Sequence, residues 1–310
     1  MTEPSTPRII SLIASSTEIL VRMGYERFLV GRSHECDYPA TVLSLPAVTS
    51  PKFPTDGTSY EIDQRIRAIV QEGLSVYRVD AEKVKQLAPT HIVTQVQCQI
   101  CAVSLRDVDA ALKEITGCDP KVIHLEPYNM EGVFKDIEKI GEGLNDLEAA
   151  QRLIAKMKSE LAEIYERFGN SPQRKSLVCI EWIKPLMSAG HWTPELTEIA
   201  GGNFLLGKAG LHSPILTFED LLAADPDVLL IAPCGLPIER TMREVPLLQS
   251  HPQWKILKAV QNGQVYVADG NQYFNRPGPR LVDTARIIAE ALHGPRAFSD
   301  SLQNVGYRKL

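Results

Sequence analysis

The stretch TQVQCQICAVS, Thr94 to Ser104, sets Cys98 and Cys101 at C-x-x-C spacing directly behind the apolar run HIVTQV. That spacing lets two thiolates reach one metal ion. A second concentration of reactive groups is SHECDYP, where His34, Glu35, Cys36, Asp37 and Tyr38 bring an imidazole, two carboxylates, a thiol and a phenol together. Three readings of the thiols stand side by side. Cys98, Cys101 and Cys36, with His34 or Cys234, would make a zinc, iron or iron–sulfur site. The C-x-x-C pair alone would make a redox couple, although the aromatic and Gly-Pro surroundings of a thioredoxin-like motif are missing. Alternatively these are small polarizable side chains packed in a loop, the usual fate of free cysteine.

Flat surfaces come from Tyr38, Trp182, Trp192, Tyr273 and Phe274. Aromatics at loop positions can line a pocket for a large planar ligand, or simply pack between elements. Arg276 and Arg280 flank the PGP that opens the last helical segment, suited to an acidic or amide group or to a nearby carboxylate of the chain itself. A G-x-S-x-G elbow, a P-loop, H-E-x-x-H and G-x-G-x-x-G are all missing from the sequence. A Cys98–His34 nucleophile pair is conceivable, but no oxyanion site accompanies it. The expectation is therefore binding, not catalysis.

The elements that must position these groups belong to a chain of 310 residues, 44% hydrophobic, with a net charge of −5. That length favours two cores over one. The mild acidity argues against a broad nucleic-acid interface. The apolar run IISLIA is far too short to cross a bilayer. The opening MTEPSTPR has neither a charged n-region nor an apolar h-region, so a cytosolic protein is expected, or a periplasmic one if a leader has been removed. Six cysteines, Cys36, Cys98, Cys101, Cys118, Cys179 and Cys234, are too sparse for a disulfide scaffold.

Strand-like and helix-like segments alternate, the pattern of an α/β protein with largely parallel sheets. RIISLIA reads as a strand and SSTEILVRMG as a helix, with Ser15 and Glu18 as a capping box and Gly24 as its stop. FLVG is a second strand, followed by a Pro-rich excursion from Ser33 to Ser59. Helices near 60–73 and 80–88, a strand at 91–95, a helix at 104–115 and the strand KVIHL complete a first lobe, 1–128. Residues 129–170 read as a helical connector that Asn145-Asp146 can break. Its piece 146–168 would extend roughly 35 Å. A second α/β lobe, 171–310, has strands at 176–182, 228–232 and 264–268. Its helices open at Thr193-Pro194, near 238–261 and at 280–293. STEILVRMGYERFLVG echoes LTEIAGGNFLLG, and LAPTHIVT echoes ADPDVLLI, which suggests two related lobes.

Ligands of open parallel sheets bind beyond the carboxyl ends of the strands. Those ends nominate Ser15, Ser16 and Thr17; Ser33, His34, Glu35, Cys36, Asp37 and Tyr38; and Gln97, Cys98 and Cys101. In the second lobe they nominate Glu181, Trp182 and Lys184, then Cys234 and Gly235, then Asn271 to Arg276 with Phe274, and nearby His191 and Trp192.

SLIASSTEIL, GRSHECDYP, WTPELTEIAGGN, ADPDVLLIAPCG and NGQVYVADGNQYFNRPGPRLVD together resemble the helical-backbone periplasmic binding proteins, and within them the vitamin B12-binding branch, over roughly residues 8–295. The resemblance implies two Rossmann-like lobes bridged by a long α-helix with the ligand clamped between them. It also implies delivery to a membrane transporter through acidic surface residues. Family ligands include corrinoids, ferric siderophores, haem and bare metal ions. The expected function is non-catalytic binding of cobalamin, a related corrinoid or another metallo-tetrapyrrole, with His34 a candidate axial ligand to cobalt or iron. The alternative is a metal-binding protein or metalloenzyme using zinc, iron or an iron–sulfur cluster. The cysteine-bearing loops depart from what a plain B12 carrier would need.

Overall fold

The computed structural model describes residues 6–71, 77–95 and 120–310. Two units share them. One comprises Met1–Gly57, Gln64–Pro127 and Glu131–Ala155; the other comprises Thr58–Asp63, Tyr128–Met130 and Lys156–Leu310. The helical connector anticipated as a segment of its own is thus divided between them.

In the first unit β1 (Ile9–Ser11) runs into α1 (Ala14–Arg22), which Gly24 ends at φ +90°. β2 (Leu29–Arg32) follows, then β3 (Thr49–Pro51), α2 (Ser59–Gln71, whose residues 59–63 belong to the second unit), β4 (Tyr77–Val79), α3 (Ala81–Leu87), β5 (His91–Gln95) and β6 (Lys121–Leu125). The described strands order as β2-β1-β5-β6, all parallel, while β3 and β4 make a separate antiparallel pair. Ile10, Val48, Val84 and Ile92 are buried together beneath Leu12, Val30 and Leu87. Short strands rich in Ile and Val with no polar alternation are what a parallel sheet covered on both faces requires.

The capping box expected of Ser15 and Glu18 is not formed. α1 starts at Ala14, Ile13 occupies the N-cap position, and no side chain caps the helix. Ser15 is therefore inside the first turn, where its hydroxyl cannot take the capping role.

α4 (Met130–Leu144) lies so close to β6 that a Cβ on Gly143 would collide with the Ile123 side chain. The break at Asn145-Asp146 is real. Asn145 is left-handed at φ +57°, and the Asp146 carboxylate accepts the Ala149 N–H at 3.1 Å, starting α5 (Leu147–Ile164). At ~1.5 Å per residue α5 extends ~27 Å, and a π turn, Tyr165–Gly169, prolongs it.

The second unit holds β7 (Ser176–Trp182), β8 (Met187–Ser188), α6 (Thr193–Ile199), β9 (Asn203–Phe204), α7 (Phe218–Ala224), β10 (Val228–Ile231), α8 (Ile238–Gln249), α9 (Lys258–Gln261), β11 (Val265–Ala268), α10 (Leu281–His293) and β12 (Tyr307–Lys309). The path is β12-β11-β10-β7-β8, with β9 also on β7. β9, β7, β10 and β11 are parallel, and β8 and β12 are antiparallel edges.

The internal echo is a repeat of backbone as well as of letters. Each copy pairs a short helix, a positive-φ glycine (Gly24 and Gly201, +90° and +77°) and a strand parallel to the first of its lobe. α3 and α7 both end on a left-handed residue, Ala88 and Asp225, just before β5 and β10. β1 lies between β2 and β5 as β7 lies between β9 and β10.

Candidate functional site

Each unit presents its own constellation at the carboxyl ends of its strands. In the first unit the strand β1 ends on Ser11, whose hydroxyl lies 2.6 Å from the Ser16 hydroxyl and accepts from Thr17 at 2.7 Å. Ser16 also donates to the Ile13 carbonyl at 2.9 Å. Beside them, the Ser33 N–H donates to the Ser11 carbonyl at 2.8 Å, which fixes the start of the SHECDYP loop.

That loop is organised around His34. The His34 N–H reaches Thr49 Oγ1 at 3.0 Å, and His34 Nδ1 lies 2.7 Å from the same oxygen. Thr49 spends its one proton on Ser33 Oγ at 3.0 Å. His34 Nδ1 must then be the donor, which puts the lone pair of the neutral ring on Nε2, the tautomer suited to a metal. Tyr77 meets the His34 ring edge-on, with centroids 5.1 Å apart, and donates its OH to Glu35 Oε1 at 2.7 Å. Burial holds the His34 pKa below its ordinary value; Glu35 opposes this and Arg32 adds to it. The ring is neutral at neutral pH.

Cys36 does not join His34 as expected. It is fully buried, with Sγ donating to the Ser11 carbonyl at 3.8 Å, so it packs the loop from below. Tyr38 is exposed. Gln97, Cys98, Cys101 and Cys118 lie outside the described residues. Among the described residues no group of three or more His, Cys, Asp or Glu side chains is placed to hold a metal ion.

The second unit assembles imidazoles and aromatics. Gly190 lets the chain lie directly on the Leu211 carbonyl, where a Cβ would collide. The His191 N–H then donates to Leu211 O at 2.8 Å, and Gly210 N–H to His191 O at 3.0 Å. These bonds hold His191 in the left-handed region at φ +52°, uncommon for a residue with a side chain. They also bring His212 alongside, with the two rings edge to face at 5.2 Å. Trp192 stacks on His191 at 5.4 Å, and Tyr128 lies 6.1 Å from His191 and 5.6 Å from His212. Burial and the neighbouring His212 push the His191 pKa down to about 4, against a hydrogen bond to the Tyr128 backbone that raises it.

The remaining nominated residues divide by burial. Trp192 and Phe274 are buried, and Trp192 Nε1 donates to the Phe274 carbonyl at 2.8 Å, so Phe274 serves as a prop, not a face. Arg276 is buried, bonded to Asn271 Oδ1 at 2.9 Å, and Arg280 to Gln272 Oε1 at 2.8 Å. Both cations act on Asp269, which caps the turn Gly270–Phe274 by accepting from Asn271 and Gln272. The arginines thus sit in a structural arrangement. Glu181 accepts from Ser213 Oγ at 2.8 Å, and its carbonyl takes the Cys234 N–H at 3.0 Å. The Cys234 side chain is exposed. The Trp182 indole N–H is buried without a partner.

Tyr128, His212, Thr49 and Tyr77 were missed by sequence reasoning. Thr49 and Tyr77 belong to three-residue strands, β3 and β4, too short to show alternation. Tyr128 and His212 stand in irregular segments whose only signal was the residue type.

A family model described as Periplasmic binding protein matches residues 9–271. The vitamin B12-binding protein of Vibrio cholerae is 22% identical over 289 residues, covering 92% of this chain and 88% of its own. A periplasmic heme binding protein of Pseudomonas aeruginosa superposes with a TM-score of 0.67 at 20% identity, covering 93% of this chain and 92% of that one. A possible iron-binding, periplasmic solute-binding protein of Staphylococcus epidermidis gives 0.69 at 18%, covering 94% and 100%. These likenesses show the fold: a two-lobe α/β protein of this family's kind. None of them supports the cytosolic placement expected from the first residues. No helix among the described residues is long and apolar enough to cross a membrane.

Proposed function

Because the chain belongs to the periplasmic binding protein family, we propose that it binds a flat metallo-tetrapyrrole, a corrinoid of the cobalamin type or a related ring, and holds it without chemical change. The observation that carries this reading is the cluster of Tyr128, His191, Trp192 and His212 in the second unit. Tyr128, His191 and His212 converge in a loop region over the buried Trp192, and burial keeps His191 uncharged, so these three rings offer apolar faces to a planar molecule. In the first unit His34, with its lone pair on Nε2, is suited to the metal of such a ring. The relatives favour the same ligand class, one being named for vitamin B12 and another for heme. Delivery of the ligand to a membrane transporter is part of the proposal, as the family resemblance implies.

The test is direct. Purified protein is titrated with cyanocobalamin and, separately, with haem, and binding is followed by visible absorption and calorimetry. Saturable one-to-one binding of either ring supports the reading. Failure of both to bind, with no coloured ligand co-purifying, removes it.

A further inference from the structure

We propose that residues 58–63 add an anion-recognising subsite to the second unit, in which the Lys184 ammonium, held over the Tyr60 ring, takes a carboxylate or phosphodiester oxygen at the periphery of the ligand. This rests on the tetrapyrrole reading above.

The segment is an addition to the repeated plan of the chain. In the second copy a loop leads from β9 to α7, whereas in the first β2 reaches α3 only after β3, α2 and β4. Within that excursion residues 58–63 belong to the second unit. Gly57, at φ +104°, turns the chain into them. The segment is fixed in place. Thr58 and Glu61 close a capping box: the Thr58 N–H donates to Glu61 Oε2 at 2.8 Å, and the Glu61 N–H to Thr58 Oγ1 at 3.3 Å. Glu244 takes the Ser59 N–H with both carboxylate oxygens, and Ser59 is wholly buried. Tyr60 beside it is 46% exposed, and Lys184 Nζ lies 4.9 Å from its ring centroid.

Lys184 stands two residues after β7, at the carboxyl end where parallel sheets receive their ligands. The ring face attracts the ammonium and restricts where it can go, but it leaves the charge uncancelled. Among the described residues no carboxylate pairs with Lys184. The two acids closest to it in the arrangement are spent elsewhere, Glu244 on the Ser59 amide and Glu181 on Ser213 Oγ at 2.8 Å. Trp182, the last residue of β7, also has its indole N–H without an acceptor. The end of β7 thus carries two unspent donors, one of them charged, which suits an oxygen acceptor bearing negative charge. The carboxylate of a haem propionate and the phosphodiester of a cobalamin nucleotide loop share that chemistry, and the arms of the experiment tell them apart.

Wild type, Lys184→Met, Lys184→Arg, Tyr60→Ala and Tyr60→Phe are titrated with haem, haem dimethyl ester, cyanocobalamin and dicyanocobinamide, the second and fourth lacking the carboxylates and the phosphodiester respectively. Lys184→Met should lower affinity for the anionic ring by about three- to tenfold and flatten its dependence on salt. Lys184→Arg keeps the charge and should restore most of the affinity. Tyr60→Ala frees the ammonium from its ring and should cost less than Lys184→Met, while Tyr60→Phe keeps the ring and should cost little. Binding of the uncharged counterpart should respond to none of these changes. The melting temperature of unliganded Lys184→Met should match wild type, because the side chain is exposed and unpaired. Loss confined to haem assigns the carboxylate, and loss confined to cyanocobalamin assigns the phosphodiester. Undiminished affinity of Lys184→Met, or equal losses for charged and uncharged rings, overturns the subsite while leaving the function intact. Wild type that binds no ring overturns both.

Discussion

Glu244 accepts the backbone N–H of Ser59 with both carboxylate oxygens, at 2.9 and 2.8 Å, across 185 residues of sequence. Glu244 is buried on α8, and Ser59 is the first residue of α2. A carboxylate at a helix N-terminus satisfies an outward amide and complements the dipole. This bond fastens residues 58–63 into the second unit, although the chain on either side belongs to the first. Glu244→Ala removes the acceptor and leaves the Ser59 amide buried without one. We expect a loss of about 1–3 kcal/mol in urea unfolding of the second unit. Glu244→Gln, which keeps one acceptor oxygen, should lose less. Equal unfolding midpoints for all three proteins would contradict the assignment.

His191 predicts a pH dependence of stability. Its folded pKa is depressed from 6.5 to about 4. Between those values the unfolded chain takes up a proton that the folded chain refuses, so the contribution is fully present above pH 6.5 and drains away as pH falls toward 4. The sign is opposite to that of a histidine in an ion pair. His191→Gln should flatten the melting temperature across this window relative to wild type, since Gln does not titrate. His34 and His293 are depressed in the same direction, so the wild-type slope is shared and the difference between proteins is the quantity to read. Parallel curves for wild type and His191→Gln would contradict the prediction.

How much of this was legible in the sequence depended on whether a local rule or a distant partner decided it. HIVTQ, KVIHL and SLVCIEW form strands at the expected residues, because short Ile- and Val-rich runs between turns have few other fates. The Asn145-Asp146 break was visible because both residues act locally. Ser15 misled: Ser-x-x-Glu matches a capping box, but β1 ends at Ser11 and the helix begins two residues earlier than the motif needs. Burial of the loop residues was invisible. Cys36 was expected at a rim and is under the loop, and Phe274 and Arg276 were expected to face a ligand but are enclosed. Nothing in single letters tells a loop residue's inward side from its outward one. His212 was overlooked because its partner, His191, is set by a glycine contact at Gly190 and Leu211 that only folding reveals.

The His34 group makes a spectroscopic prediction that rests on the proposed ligand. If Nε2 meets the metal, His34→Ala should shift the visible bands of the bound ring and weaken binding by about tenfold or more, roughly 1.4 kcal/mol. Thr49→Val removes the oxygen that fixes the tautomer, and should weaken binding less while leaving the bands in place. Identical spectra for wild type and His34→Ala would remove the imidazole from the metal while leaving the ring's presence untouched.

Trp192 and Tyr128 separate stability from recognition within one cluster. Trp192 is buried, with its indole N–H spent on the Phe274 carbonyl. Trp192→Phe leaves that buried carbonyl without this donor and opens space beside His191, so the unliganded protein should lose about 1–3 kcal/mol. Tyr128 contributes ring contacts to His191 and His212 from a half-buried position. Tyr128→Ala should therefore cost less stability but proportionally more affinity, and its effect should depend on His212. A double-mutant cycle over Tyr128→Ala and His212→Ala, read as ring affinity, should show coupling of about 0.5 kcal/mol or more. Additive losses would mean that the two rings meet the ligand independently, and that the cluster is a set of separate contacts instead of one recognition surface.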